Sequence, residues 1–264
     1  MPIRIASWLS LGLMLAVAGC RDLEDPTAAA APRLVVHAVL DASSSTQQVL
    51  VARARTGATT TTASSLTDDE PVFGATVELI APDGQRQVGF EQSPANPGVY
   101  AFIPNLTSPF NLSLGSTYTL HVRTPDGEDI SGTTTIPSPP PAPAPAFSVQ
   151  PFNRSRDTLR LTWHPVPGAR SYELVIRSRR TERYRTFTDT SLVLPGTALT
   201  VNGDTIFAPG RLLDVVVTAV DVNYYEYYRA QSDPFAGASP SRLSGAEGVF
   251  GSVVTMAAMQ LQVR

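Results

Sequence analysis

Lysine is absent from this 264-residue sequence. All twenty basic residues are arginine, set against 23 aspartates and glutamates for a formal net charge of −3. With no basic face, nucleic acid is not an expected partner, and arginine at every basic position reads as codon bias rather than as a phosphate site. The single cysteine, Cys20, excludes an internal disulfide and every paired-cysteine metal motif. Three histidines, His37, His121 and His164, stand singly without H-x-x-x-H spacing. Each reads as a strand residue, and neither a metal nor a cofactor is expected. No G-x-S-x-G elbow supports a serine nucleophile. An apolar run of about 20 residues, long enough to span a bilayer, is missing as well.

What is present begins at the N-terminus. Arg4 precedes an apolar stretch from Trp8 to Ala18, followed by Gly19 and Cys20. Charged, apolar and small-residue regions stand in the order of a secretory signal. Val17-Ala18-Gly19-Cys20 resembles a bacterial lipobox, which implies cleavage before Cys20 and lipidation of its sulfur; an ordinary secretory signal with Cys20 merely nearby is the competing reading. An unpaired thiol in an oxidising compartment is a liability, which favours lipidation. Residues 1–19 are then the signal peptide, and 20–32, with Asp22, Glu24, Asp25 and an alanine run, a tether to the membrane. Arg21 after the cysteine favours the outer membrane over inner-membrane retention. Loss of Arg4 with the signal takes the formal charge to −4.

Proline (23) and glycine (18) are frequent, and period-two alternation dominates the rest, which points to an all-β protein rich in turns. Leu34–Leu40 is a continuous apolar run. Gln48–Arg55 places Val49 and Val51 on one face, and Ala75, Val77 and Leu79, and Tyr118, Leu120 and Val122 alternate with polar neighbours, the pattern of half-buried antiparallel strands. Ala81-Pro82-Asp83-Gly84 and Thr124-Pro125-Asp126-Gly127 read as tight turns. Thr56–Glu70 reads as a long polar loop.

Six prolines between Pro137 and Pro145 cannot enter a sheet interior and favour polyproline II, a semi-rigid spacer of roughly 28 Å. The expected architecture is two tandem antiparallel β-sandwiches of immunoglobulin or fibronectin type, 33–136 and 147–264, joined by a proline-rich linker over 137–146. In the second, Leu159, Leu161 and Trp163 alternate, a Pro165–Gly168 turn follows, and Tyr172, Leu174 and Ile176 continue. From Leu161 to Ile176, and again from Phe207-Ala208-Pro209-Gly210 into Leu213, Val215 and Val217, the chain resembles a fibronectin type III module. Leu213 stands where that module has a tyrosine, which implies that its tyrosine corner is missing. Val201-Asn202-Gly203-Asp204 reads as an extra hairpin.

Gly74–Leu79, Pro97-Gly98-Val99-Tyr100 and Tyr118–Val122 are similar to a transthyretin-like, carboxypeptidase-regulatory sandwich. Taken together with the lipobox, the P-D-G turns, the tyrosine-rich segment and the late Gly248-Val249-Phe250-Gly251, the chain resembles the uncharacterised envelope lipoprotein family known as domain of unknown function 4249. That resemblance implies an envelope lipoprotein, often encoded near TonB-dependent outer-membrane transporters. It carries no catalytic or ligand residues over.

Acidic groups at Asp68-Asp69-Glu70 and Asp126-Gly127-Glu128-Asp129 match no calcium loop and read as solvated turns. Gly245, Gly248 and Gly251 lack the strand-to-helix setting of a phosphate loop; Val249, Phe250, Val253 and Val254 instead indicate a bulged final strand. One cluster stands out. Asn223–Arg229 holds Tyr224, Tyr225, Tyr227 and Tyr228, directly after a strand, where a sandwich presents an end loop. These four rings are the candidate binding residues, unless they pack inward against Phe235 and Phe250. The leading expectation is a non-enzymatic, lipid-anchored interaction or accessory module, with an outer-membrane transporter as partner. The alternatives are a carbohydrate- or peptide-binding surface lipoprotein and a hydrolase with scattered residues.

Overall fold

The computed structural model describes residues 33–54, 69–82, 84, 86–102, 111–145, 149–179, 181–200, 202–232, 241–256 and 258–264. Cys20, the signal and tether, most of the Thr56–Glu70 loop, and Phe235 lie outside them. In chain order the elements are β1 (Leu34–Asp41), β2 (Gln47–Arg53), β3 (Glu70–Pro71), β4 (Thr76–Ile80), β5 (Arg86–Gln92), β6 (Val99–Phe102), β7 (Thr117–Arg123) and β8 (Asp129–Thr135). There follow β9 (Val149–Phe152), β10 (Thr158–Thr162), β11 (Ser171–Ser178), β12 (Thr181–Thr188), β13 (Ser191–Pro195), β14 (Leu212–Val220), α1 (Val222–Ser232), β15 (Glu247–Thr255) and β16 (Met259–Val263). The protein is an all-β sandwich fold with one helix.

Alternation places the cores. Val49 and Val51 of β2, Val77 and Leu79 of β4, and Tyr118, Leu120 and Val122 of β7 turn inward and gather with Tyr100 and Ile130 into a first core. Leu159 and Leu161, Leu174 and Ile176, and Leu213, Val215 and Val217 form a second with Trp163 and Phe207. Each fully buried aliphatic or aromatic side chain contributes about 1.5–3 kcal/mol. Leu213 is wholly buried in this second core. A hydroxyl tie of the tyrosine-corner kind comes instead from Tyr172, whose oxygen accepts from the Val166 N–H at 2.7 Å.

Strand order runs β12-β11-β14-β15-β1-β2-β6-β5-β4-β7-β8, with β16, β9 and β3 as branches, while β10 and β13 pair separately. The expected partition at residues 137–146 is therefore crossed. β15 lies parallel to β1, from Val35↔Glu247 to Asp41↔Val253, although β1 pairs antiparallel with β2 and β15 antiparallel with β14. Its Phe250 and Val254 belong to the first core, and Arg33 pairs with Glu247. β15 then meets the end of β14 at Thr218↔Thr255, and β16 continues along the same strand at Val215↔Met259 with the register slipped by one residue. Residues 247–263 thus form one bulged ribbon. Its first half completes the first core and its second half the second. Parallel strands need cover on both faces, which explains why β1 is apolar at every position but His37 and the terminal Asp41.

Gly248 makes that pairing possible. At φ +111°, an added Cβ would sit 2.0 Å from the Val36 carbonyl oxygen.

The proline-rich segment is not a free spacer. Pro137, Pro140 and Pro143 are buried while the residues between them are half-buried or exposed, the three-residue period of polyproline II laid against a surface. Ser138 donates its N–H to the Pro167 carbonyl (2.9 Å), and Ala144 exchanges both main-chain bonds with Thr162 (2.7 and 3.1 Å). The turns behave as expected: Gly84 N–H bonds Ala81 O (2.9 Å) and Gly127 N–H bonds Thr124 O (3.0 Å). The extra hairpin is short, a single bridge between Leu199 and Thr205.

Candidate functional site

The tyrosine-rich segment is a helix, not an end loop. Asp221 caps it: its Oδ1 accepts the Tyr224 N–H at 2.9 Å, satisfying one of the free donors of the first turn. No glycine or proline interrupts residues 222–233. Spacings of three and four place Tyr224, Tyr227 and Tyr228 on one face, which lies on the outer face of the sheet at Val39, Val220 and Val253. This is the seam where β14, β15 and β1 meet. Tyr224 and Tyr227 keep only 8% and 4% of their surface exposed; Tyr225 and Tyr228 are half-buried. Tyr224 and Tyr228 pack at 4.4 Å between ring centroids, and Phe187, not Phe250, supplies the edge-on ring to Tyr225 at 5.3 Å.

Beneath the helix the polar tips find partners. Tyr228 Oη lies 2.6 Å from His37 Nε2. Tyr224 Oη donates to Glu173 Oε2 at 3.3 Å, and Arg185 Nη1 holds Glu173 Oε1 at 2.7 Å. Burial pushes the Glu173 carboxyl above its ordinary value, against the pull of Arg185. It holds the His37 imidazole below its own and raises the phenols of Tyr224 and Tyr228. These rings and charges fasten a helix to a sheet. Of the four tyrosines, Tyr225 keeps a partly open face, with the Arg170 guanidinium 4.9 Å from its centroid.

Asp221 is also a junction. Its Oδ2 accepts from Thr134 Oγ1 of β8 at 2.6 Å, and its Oδ1 accepts the Ser252 N–H of β15 at 3.1 Å. Asn223 donates through Nδ2 to the carbonyls of Thr133 and Phe250, both at 2.7 Å. Burial raises the Asp221 carboxyl, while the Thr134 hydroxyl and three backbone N–H groups oppose that shift. Both residues tie strands of the first core to the helix that follows the second.

The remaining expected residues scatter. His121 Nε2 pairs with Asp129 Oδ1 at 2.5 Å, and His164 is exposed. Asp126 and Glu128 clasp Arg53 at 2.8 and 2.5 Å; the Arg53 hydrogen bond holds the Glu128 carboxyl below its ordinary value. Among the described residues no group of three or more His, Cys, Asp or Glu is placed to hold a metal ion.

Two of the clefts on the described surface are lined in part by charged residues. One, of about 410 Å³, lies at the helix start and is lined by Asp221, Asn223, Arg170 and Arg242, but its acid is already spent on the cap and its Arg242 on Glu226 at 2.7 Å. The other, of about 510 Å³, lies beside β10, with Phe152, Leu159 and Leu261 among its lining and Arg156 and Arg160 beside them. Sequence reasoning missed it. Alternation places Arg160 outward, but no local signal brings it beside Phe152 and Leu261.

A family model described as a domain of unknown function (DUF4249) matches residues 21–260. The chain belongs to this family. The DUF4249 protein is similar to the FN1-FN3 domains of chicken CNTN1, at 15% identity and a TM-score of 0.20, over 86% of this chain and 66% of that one. It is similar to fibronectin(III)-like modules of CbhA from Clostridium thermocellum, at 10% identity and 0.24, over 87% and 90%. It is also similar to the BSP domain of a biofilm associated protein, at 13% and 0.26, over 87% and 29%. Such superpositions are local, so the fold rests on the strand pairing above. No functionally curated protein matches the DUF4249 chain.

Proposed function

We propose that this protein is a non-enzymatic, lipid-anchored interaction module of the outer membrane, an accessory to an outer-membrane transporter of the TonB-dependent class. The observation that carries this reading is the ribbon 247–263, which runs through both cores and makes them one body. Such a body suits presentation of a fixed surface to a partner better than closure over a substrate. The lipobox-like Val17–Cys20 supplies the anchor. Three acyl chains on Cys20, at about 0.8 kcal/mol per buried methylene, hold such a protein at a membrane essentially permanently. The glycan-platform reading loses its main support with Tyr224 and Tyr227 inside.

The test combines labelling with capture. Cells fed radiolabelled palmitate should label the wild-type chain and not a Cys20→Ser variant, which should leave the envelope fraction after a carbonate wash. Mild crosslinking in membranes should then recover a transporter as the dominant partner. An unlabelled wild-type chain, or a Cys20→Ser chain that still sediments, sinks the anchor; capture without any transporter sinks the accessory role.

A further inference from the structure

Arginines that lie far apart in the sequence are gathered at one end of the second core. β9 and β16 finish there side by side at Phe152↔Val263, and the Arg264 N–H goes on to the Phe152 carbonyl at 2.8 Å. β14 starts there, since the Val263 N–H meets the Arg211 carbonyl at 2.9 Å and the Gly210 N–H meets the Val263 carbonyl at 3.0 Å. β11 finishes against it at Arg177↔Asp214. The start of β10 joins the same end, where the Gly196 N–H bonds the Asp157 carbonyl at 3.0 Å. The ribbon that begins beside Arg33 ends here, roughly 50 Å further on. The described residues of the stretches 149–160, 177–183, 199–214 and 259–264 hold eight arginines against Asp157, Glu182, Asp204 and Asp214. That is a surplus of four positive charges in a chain whose net charge is −3. The expectation of no basic face, drawn from the overall balance, does not extend to this end. Positions 146–148, 180 and 201, the undescribed ones that adjoin these strands in the chain, hold no acid, so the surplus does not depend on them.

Most of the acids here are already engaged. Asp214 lies 3.7 Å from Arg177 and accepts from Gln260 at 3.0 Å, Glu182 holds Arg185 at 2.7 Å, and Asp157 accepts the Asn153 N–H at 2.6 Å. Arg156, Arg179 and Arg211 are exposed. At the same end Leu199 and Leu212 keep 58% and 43% of their surface open. We propose that this end is a docking surface for an acidic face of a partner protein, whose carboxylates pair with Arg156, Arg179 and Arg211 and whose apolar side chains cover Leu199 and Leu212. The planar guanidinium fork suits a carboxylate, and the mixture of groups selects a protein. A uniform layer of phosphates, on a bilayer or a nucleic acid, would meet Asp204 and Asp214 as repulsion. A protein face can set cations against those acids and apolar groups against the leucines. The inference rests on the reading of this protein as an interaction module and names the chemistry of the partner's face.

The probe is an acetylated, amidated peptide repeating three glutamates and a leucine, titrated onto the full folded chain and followed by fluorescence anisotropy. Binding that weakens with added salt is expected, with at least about tenfold loss for an Arg156→Glu/Arg211→Glu double variant. A smaller loss is expected for Leu212→Ser. Both variants should keep the wild-type melting temperature, since these side chains are exposed; Arg179→Glu carries the charge test if the double variant fails to fold. No saturation up to millimolar peptide, equal binding of the lysine–leucine counterpart, or wild-type affinity in the charge-reversed chain overturns the proposal. So does wild-type affinity in Leu212→Ser, or binding of phosphatidylglycerol vesicles or a DNA duplex as tight as that of the peptide, either of which would make the occupant a polyanion. Salt-sensitive self-association that the double variant abolishes overturns it too, with a second copy as the occupant. Failure here leaves palmitate labelling and transporter capture untouched, so the two readings fall separately.

Discussion

At the residue scale, the tyrosines divide by what their rings touch. Tyr224 is buried between Phe187, Tyr228 and Glu173; truncation to alanine opens a cavity and leaves Glu173 with one partner fewer. Tyr224→Ala is expected to cost about 3–5 kcal/mol, and Tyr225→Ala less than about 1.5 kcal/mol. Equal losses in urea melts would contradict the packing described for the helix. His37 gives a pH signature. Burial holds its imidazole below the ordinary 6.5, so on acidification the unfolded chain takes up that proton before the folded one. Its contribution to stability is complete above 6.5 and is lost as pH falls from there through the folded value. Glu173 and Asp221, raised by burial, act oppositely: their unfavourable contribution fades as pH falls through their folded values toward the ordinary carboxylate range. A His37→Gln variant should therefore lack the stability loss of the wild type between about pH 7 and pH 5. Parallel profiles for the two proteins would show that His37 does not titrate with folding.

At the element scale, the β1–β15 pairing depends on Gly248. Gly248→Ala drives a methyl into the Val36 carbonyl at φ +111° and should cost more than about 2 kcal/mol. Gly127→Ala, at φ +87° with nothing within 4 Å, should cost only the roughly 1–2 kcal/mol of a left-handed residue. Thermal melts of the two variants compare a close approach with a conformation alone. These elements also mark how far the sequence could be read. β4, β7, β10 and β11 were legible because each alternates against a largely polar face. The parallel partner of β1 was not, since Val35 and Glu247 meet across more than two hundred residues and leave no local periodicity. The helix was missed because consecutive tyrosines favour strands and recognition loops, although the cap at Asp221 and the rings at 224, 227 and 228 had announced it. The prolines were recognised as polyproline II; that every third residue from Pro137 to Pro143 is buried needed a neighbouring surface, which no local pattern supplies. As for the site, the sequence marked the tyrosines, of which the structure buries Tyr224 and Tyr227 and leaves Tyr225 and Tyr228 half-buried, and passed over Arg156 and Arg160.

At the scale of the whole molecule, two cores share one ribbon, with Phe250 and Val254 in the first and Met259, Leu261 and Val263 in the second. Calorimetry should show a single cooperative transition, with calorimetric and van't Hoff enthalpies in agreement. A fragment ending at residue 145 should lack dispersed amide resonances, because β1 then has no partner beyond β2; two separated transitions, or a folded fragment, would refute the shared ribbon. The arrangement also dictates an order of events in time. A chain that is made from its amino end must hold β1 open until residues 247–255 arrive, some two hundred residues later. Closure of so distant a contact is slow, and meanwhile the bare strand invites foreign pairing. Such a protein favours an escort that keeps it apart from its siblings until the final segment emerges.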